Sequence, residues 1–295
     1  MYGDHVANLR LSKNLWASVG ISALAVVAAV VVIMAMIQYR APNAKATPVS
    51  GTTSASVPVR STSTFASTSA TPSPAKASTP TASPTGLALA NSILSAPGGA
   101  SVLVIGDGTG DATNEWVAVW ARDHLATKAT VSYSAWDWVS SQYATAVRYG
   151  TTGQTITVWN ASVRSPDMAL EPARIAQAWQ TSSLVLLSYG HRRAPGTITA
   201  QMDAVLAAIR AKNATVPIVV MIQNPDRADT ETIQRENTQK IQAWAGAHGF
   251  ATVDIYSAFM ADPTPRNTMV ESDGSPSPQG SQLWATTLAE ALKAA

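Results

Sequence analysis

The chain has 295 residues, with 20 lysines and arginines against 18 aspartates and glutamates. It has no cysteine, which excludes disulfides, a thiolate nucleophile, a lipidated cysteine and zinc–thiolate sites. The net charge of +2 conceals an asymmetry, since residues 1–86 hold six basic groups and one acidic while residues 87–295 hold fourteen and seventeen. The C-terminal part therefore lacks the basic footprint of nucleic-acid binding, and no nucleic-acid partner is expected.

Residues 1–16 read as a short N-terminal tail. The next 21 residues, Ala17 to Ile37, carry no charge, and at about 1.5 Å per residue they match a hydrocarbon core of roughly 30 Å. Trp16 and Tyr39 stand where interfacial aromatics belong. Residues 17–38 are thus expected to be an uncleaved transmembrane signal anchor. The competing reading is a cleaved signal peptide ending at Ala44 and Ala46, but its apolar stretch would be unusually long. Residues 39–86 form a Ser/Thr/Pro/Ala-rich linker. Within 41–85, 36 of 45 residues are of these four types and the only large apolar groups are Val49, Val57, Val59 and Phe65. Such a stretch has nothing to build a core from and is expected to be a disordered stalk. A stalk of this composition beside a span predicts a single-pass plasma-membrane protein whose C-terminal domain, residues 87–295, is extracytoplasmic.

In that domain, Val/Ile/Leu-rich runs recur at Ser101–Gly106, Ala129–Tyr133, Thr155–Trp159, Ser183–Ser188, Pro217–Ile222 and Ala251–Ile255. Most are continuous rather than alternating, as strands buried on both faces would be. Helical spacing separates them, for example at Met202, Val205, Leu206 and Ile209, and at Trp284, Leu288, Ala291 and Leu292. Strand–helix alternation predicts an α/β fold with a mostly parallel sheet. Tyr143 to Asn160 breaks the rhythm and reads as a hairpin-like excursion around Gly150–Gly153. Ligands of open α/β sheets bind beyond the carboxyl ends of the strands, which directs attention to the loops after residues 106, 160, 189, 223 and 262.

The first of these loops reads Gly106-Asp107-Gly108-Thr109-Gly110, followed by Asn114, Glu115 and Trp116. It resembles the first signature block of the SGNH/GDSL hydrolases, in which Gly-Asp-Ser supplies the nucleophile, with Gly108 in the serine's place. The resemblance covers about 90–290. It implies a three-layer α/β/α sandwich with a mostly parallel five-stranded sheet of flavodoxin-like type, and no cofactor or metal. It also implies which positions to inspect. Ser165 stands where the second block has an oxyanion-holding glycine. Arg192, after Gly190 and His191, stands where the third has asparagine. Asp273-Gly274-Ser275-Pro276 stands for the fourth block's Asp-x-x-His, one residue short and without the imidazole.

Glycine has no group to form an acyl-enzyme, and each lost oxyanion donor costs roughly 10²–10³ in rate. The vestigial catalytic positions are therefore Gly108, Ser165, Arg192, Asp273 and Ser275, and the domain is expected to be an inactive pseudohydrolase. Asp107, Thr109, His191 and Arg192 are the expected binding residues, with an envelope glycan or a protein as ligand. The alternative is an active esterase or acyl-transfer enzyme using His191, Asp273 and a serine at 275 or 277. A nucleotide loop is disfavoured because Asp111 occupies the third glycine position of G-x-G-x-x-G and Asp107 would face the phosphates. Arg192 and Arg193 could clamp an anionic sugar or phosphate or be solvated. Trp136 and Trp138 could stack on sugars or be core.

Overall fold

The computed structural model describes residues 86–164, 167–191, 193–227 and 230–293. The expected tail and anchor, and all but the last residue of the linker, lie outside the described residues. Among those described, no helix is long and apolar enough to cross a membrane.

The chain enters helix α1 at Gly86–Leu94 and then strand β1 at Ala100–Gly106. A helical segment follows, made of α2 (Trp116–Val119), a π-helical turn (Trp120–His124) and a 3-10 turn (Leu125–Thr127). Three strands come next, β2 (Thr130–Asp137), β3 (Gln142–Tyr143) and β4 (Val147–Tyr149). The remainder alternates β5 (Thr155–Ser162), α3 (Glu171–Ala178), β6 (Leu184–Ser188), α4 (Ile198–Lys212), β7 (Ile218–Ile222), α5 (Glu231–Ala247) and β8 (Ala251–Asp254). Helices α6 (Ile255–Ala261), α7 (Arg266–Met269) and α8 (Pro278–Lys293) close the domain. All six apolar runs are strands.

The sheet corrects the expected strand number. Among the described residues it has eight strands rather than five, in the order β3-β2-β5-β1-β6-β7-β8, with β4 also against β2. Within it β5-β1-β6-β7-β8 is wholly parallel, and these five have the flavodoxin-like order 2-1-3-4-5. Strand β2 extends this core in parallel beyond β5, while β3 and β4 run back antiparallel along its free edge. The excursion is thus a hairpin with β2, and its reversal lies at 138–141 rather than at Gly150–Gly153. Ser141 supplies the left-handed residue there, with φ 53°. Asp137 locks the turn by accepting from Val139 N at 3.0 Å and Ser140 Oγ at 2.7 Å.

Two apolar layers sandwich the sheet, as the period of two along a strand requires. Val102 and Val104 of β1 pack with Trp116, Trp120, Phe259, Trp284 and Leu288 on one face. Leu103 and Ile105 pack with Ile175, Met202, Val205, Ile209 and Trp244 on the other. The Trp116 and Trp284 rings stack at 5.0 Å and 2°, joining α2 to α8. Both are fully buried, so truncating either would cost about 3–5 kcal/mol.

Candidate functional site at the carboxyl ends of β1, β5 and β6

Strand β1 lies between β5 and β6, and the chain turns away from it in opposite directions on either side. A crevice at such a switch point needs no side chain to create it. Gly106 ends β1 against its neighbour, where a Cβ would fall 2.7 Å from Ser188 O. Asp107 then turns inward. Its N–H donates to Ser188 O at 3.1 Å. Its Oδ1 accepts from Thr109 N at 3.2 Å, Thr109 Oγ1 at 2.9 Å and Gln223 Nε2 at 2.9 Å, and its Oδ2 from His191 N at 3.2 Å. Gln223 Nε2 also lies 3.1 Å from Thr109 Oγ1 and from Ser188 Oγ. One buried carboxylate therefore ties together the loops after β1, β6 and β7, which is what a buried charge requires.

Gly108 faces Arg164, the second residue after β5. A Cβ at position 108 would meet Arg164 Cα at 2.8 Å, its Cβ at 3.2 Å and its Cγ at 3.3 Å. The space a nucleophilic serine would use is filled by neighbouring chain. Arg164 then reaches across the mouth to Asp273, Nη1 to Oδ2 2.9 Å, and Asp273 Oδ1 accepts from Ser275 N at 3.1 Å. Burial raises the Asp273 carboxyl, but the Ser275 hydrogen bonds and the Arg164 guanidinium outweigh it and hold the group below its ordinary range. Asp273, which the sequence resemblance aligned with the fourth block's aspartate, is committed to a guanidinium.

The loop after β6 is held from beneath. Gly190 has φ +133°, and a Cβ there would fall 2.6 Å from Ile241 Cδ1. Asn237 of α5 donates to Gly190 O at 2.8 Å and to Arg193 O at 2.9 Å. His191 is buried under the 271–275 turn. Gly274, with φ +84°, lies flat on its ring, since a Cβ would sit 2.0 Å from His191 Cε1. Ser275 Oγ donates to Gly108 O at 3.3 Å. Ser277, the other serine of the alternative reading, caps α8: its Oγ accepts from Gly280 N at 3.2 Å and donates to Thr268 O at 2.7 Å.

Asp107, Gly108, Thr109, His191, Asp273 and Ser275 therefore line one cleft of about 140 Å³, together with Arg164 and Arg193. Ser165 and Arg192 lie outside the described residues. The buried Nε of Arg193 has no hydrogen-bond partner among the described residues. Beside the cleft, Glu115 accepts from Ala112 N at 2.7 Å and is 4% exposed. Burial, reinforced by Asp111, pushes its carboxyl up to about 8, and burial raises Asp111 as well. Glu115 and Asp111 are thus neighbouring carboxyls both raised above their ordinary range, chiefly by burial. Sequence reading missed Arg164, Gln223, Asn237 and this pair, because each acts through partners that only the fold supplies.

No protein-family model and no curated protein matches the chain. Similar solved structures include the lipase/acylhydrolase from Enterococcus faecalis, 14% identical over 66% of this chain and 95% of that one, with a TM-score of 0.48. A member of the lipolytic protein G-D-S-L family from Veillonella parvula is 15% identical over 64% and 96%, TM-score 0.44. A carbohydrate esterase family 3 structure from Talaromyces cellulolyticus is 18% identical over 66% and 99%, TM-score 0.46.

Proposed function

We propose that this is a membrane-tethered, extracytoplasmic pseudohydrolase whose former catalytic cleft binds an anionic group on a cell-envelope glycan. The observation that carries the loss of catalysis is the 2.8 Å approach of Arg164 Cα to the missing side chain of residue 108. A site that merely lacked its serine would leave a hole there, whereas this one has closed over it. The choice of an anionic ligand rests on Arg193. A guanidinium that lines the cleft, its Nε without a hydrogen-bond partner among the described residues, matches a carboxylate or phosphate, and Arg-to-anion bonds are the strong class. Asp107 in the same lining works against such a ligand, and the Arg164 and Arg193 guanidiniums offset it. Thr109 is committed to Asp107 and Gln223.

The test pairs two measurements on the full chain in detergent micelles. p-Nitrophenyl acetate turnover is expected at the uncatalysed rate. Tetragalacturonate is expected to bind and neutral maltotetraose is not, with Arg193→Gln lowering the acidic ligand's affinity at least tenfold. Ester turnover lost on Ser275→Ala would replace this reading with the esterase alternative built on Ser275 and His191.

A further inference from the structure

Arg164 has two flanks. One lines the cleft and the other lines a groove of about 230 Å³ shared with Trp138, Val163, Asp167, Leu170 and Arg174. Trp138 is 70% exposed and Leu170 64% exposed. We propose that this groove is a second subsite for the same ligand, in which a pyranose ring adjoining the anionic one stacks on the Trp138 indole. The inference rests on the reading of the cleft as an anionic-glycan site.

Three features favour a sugar ring. First, Trp138 is presented by a braced turn rather than a loose loop. Asp137 holds the turn through Val139 N and Ser140 Oγ, and the hairpin beneath pairs Trp136 with Tyr143. Tyr143 packs edge-on against Trp136 at 5.0 Å and Trp159 at 4.9 Å, and its hydroxyl donates to Ala178 O at 2.7 Å. Trp136 is thereby absorbed into this ladder, leaving Trp138 as the exposed ring. An aromatic held this way loses little freedom on binding.

Second, the groove mixes an apolar floor with charges of both signs. Arg164 and Asp167 stand at its edge, while Arg174 is engaged with Glu171 and the Tyr189 hydroxyl. A pyranose offers a C–H face to the mainly apolar floor and hydroxyls to the charged rim. Third, the groove and the cleft are joined through one residue. A polymer with its acidic group against Arg193 would pass Arg164 on its way to Trp138.

Titration calorimetry on the full chain in detergent micelles tests this with galacturonate, tetragalacturonate and octanoate. The parent is expected to bind the tetramer at least tenfold more tightly than the monomer. Trp138→Ala should abolish that difference and leave monomer affinity unchanged, and Trp138→Phe should keep most of it. Unaltered tetramer affinity in Trp138→Ala would overturn the subsite while leaving the cleft reading intact. Absence of uronate binding by the parent would overturn both. Octanoate binding that Trp138→Ala removes would overturn the assignment to carbohydrate.

Discussion

Placing serine at position 108 is the sharpest perturbation of the site. Carbon pairs prefer separations of roughly 3.5–4.0 Å, yet the new Cβ would stand 2.8 Å from Arg164 Cα. A backbone atom must therefore move by about 0.7 Å or more. It is not free to do so, because Val163 N donates to Gly106 O at 3.2 Å just before it and the Arg164 guanidinium is held by Asp273. Overpacking of this kind costs about 1–3 kcal/mol, partly offset by the entropy glycine loses on folding, about 0.4–1 kcal/mol. The net loss, up to about 2.6 kcal/mol, corresponds to as much as roughly 10 °C for a domain near 200 residues. Thermal unfolding followed by near-ultraviolet circular dichroism reads it directly. Adding Arg164→Gly removes the Cβ and Cγ contacts but leaves the Cα, so less than half of the loss should return. A Gly108→Ser protein as stable as its parent would refute the packing argument, as would one that turns over p-nitrophenyl acetate.

Two further substitutions probe the surroundings. Glu115 holds its proton up to about pH 8 in the fold, against 4.5 for the free group. The raised value means that its protonated form stabilises the fold, so stability declines as pH climbs from 4.5 toward 8. Glu115→Gln should flatten that decline, matching the parent near pH 5 and exceeding it at pH 9 by at most about 4–5 kcal/mol. Parallel melting profiles across this range would contradict the assignment. Gly274→Ala meets both a left-handed backbone and a ring carbon at 2.0 Å, for a combined cost of about 2–5 kcal/mol. Pairing it with His191→Ala should recover the steric part alone, and full recovery would show that the backbone conformation carries no strain.

Much of this architecture is legible in the chain because buried parallel strands need unbroken apolar runs, and each of the six such runs is a strand. The miscounted sheet has a local cause. Strands β3 and β4 span only two and three residues, too few to display alternation, and their reversal uses Ser141 where glycine is the usual signal. Gly150 and Gly153, which suggested the turn, serve instead to carry the chain from β4 into β5. The cleft is legible as a set of expected positions, three of which, Gly108, Asp273 and Ser275, meet there with Asp107, Thr109 and His191, but not as a mechanism of closure. Gln223 reaches Asp107 across 116 residues, and Arg164 matters both through the place its backbone occupies and through a guanidinium that meets Asp273 from 109 residues away. Ser277 could have been separated from Ser275 by sequence, since Pro278 at the first helical position marks the preceding residue as a cap.

The central claim is that no serine in this cleft is a nucleophile. A fluorophosphonate probe incubated with the intact chain, followed by peptide mapping, tests it most directly. The expected result is no serine modified above the level of the heat-unfolded protein. Stoichiometric modification of Ser275 in the folded protein would contradict it.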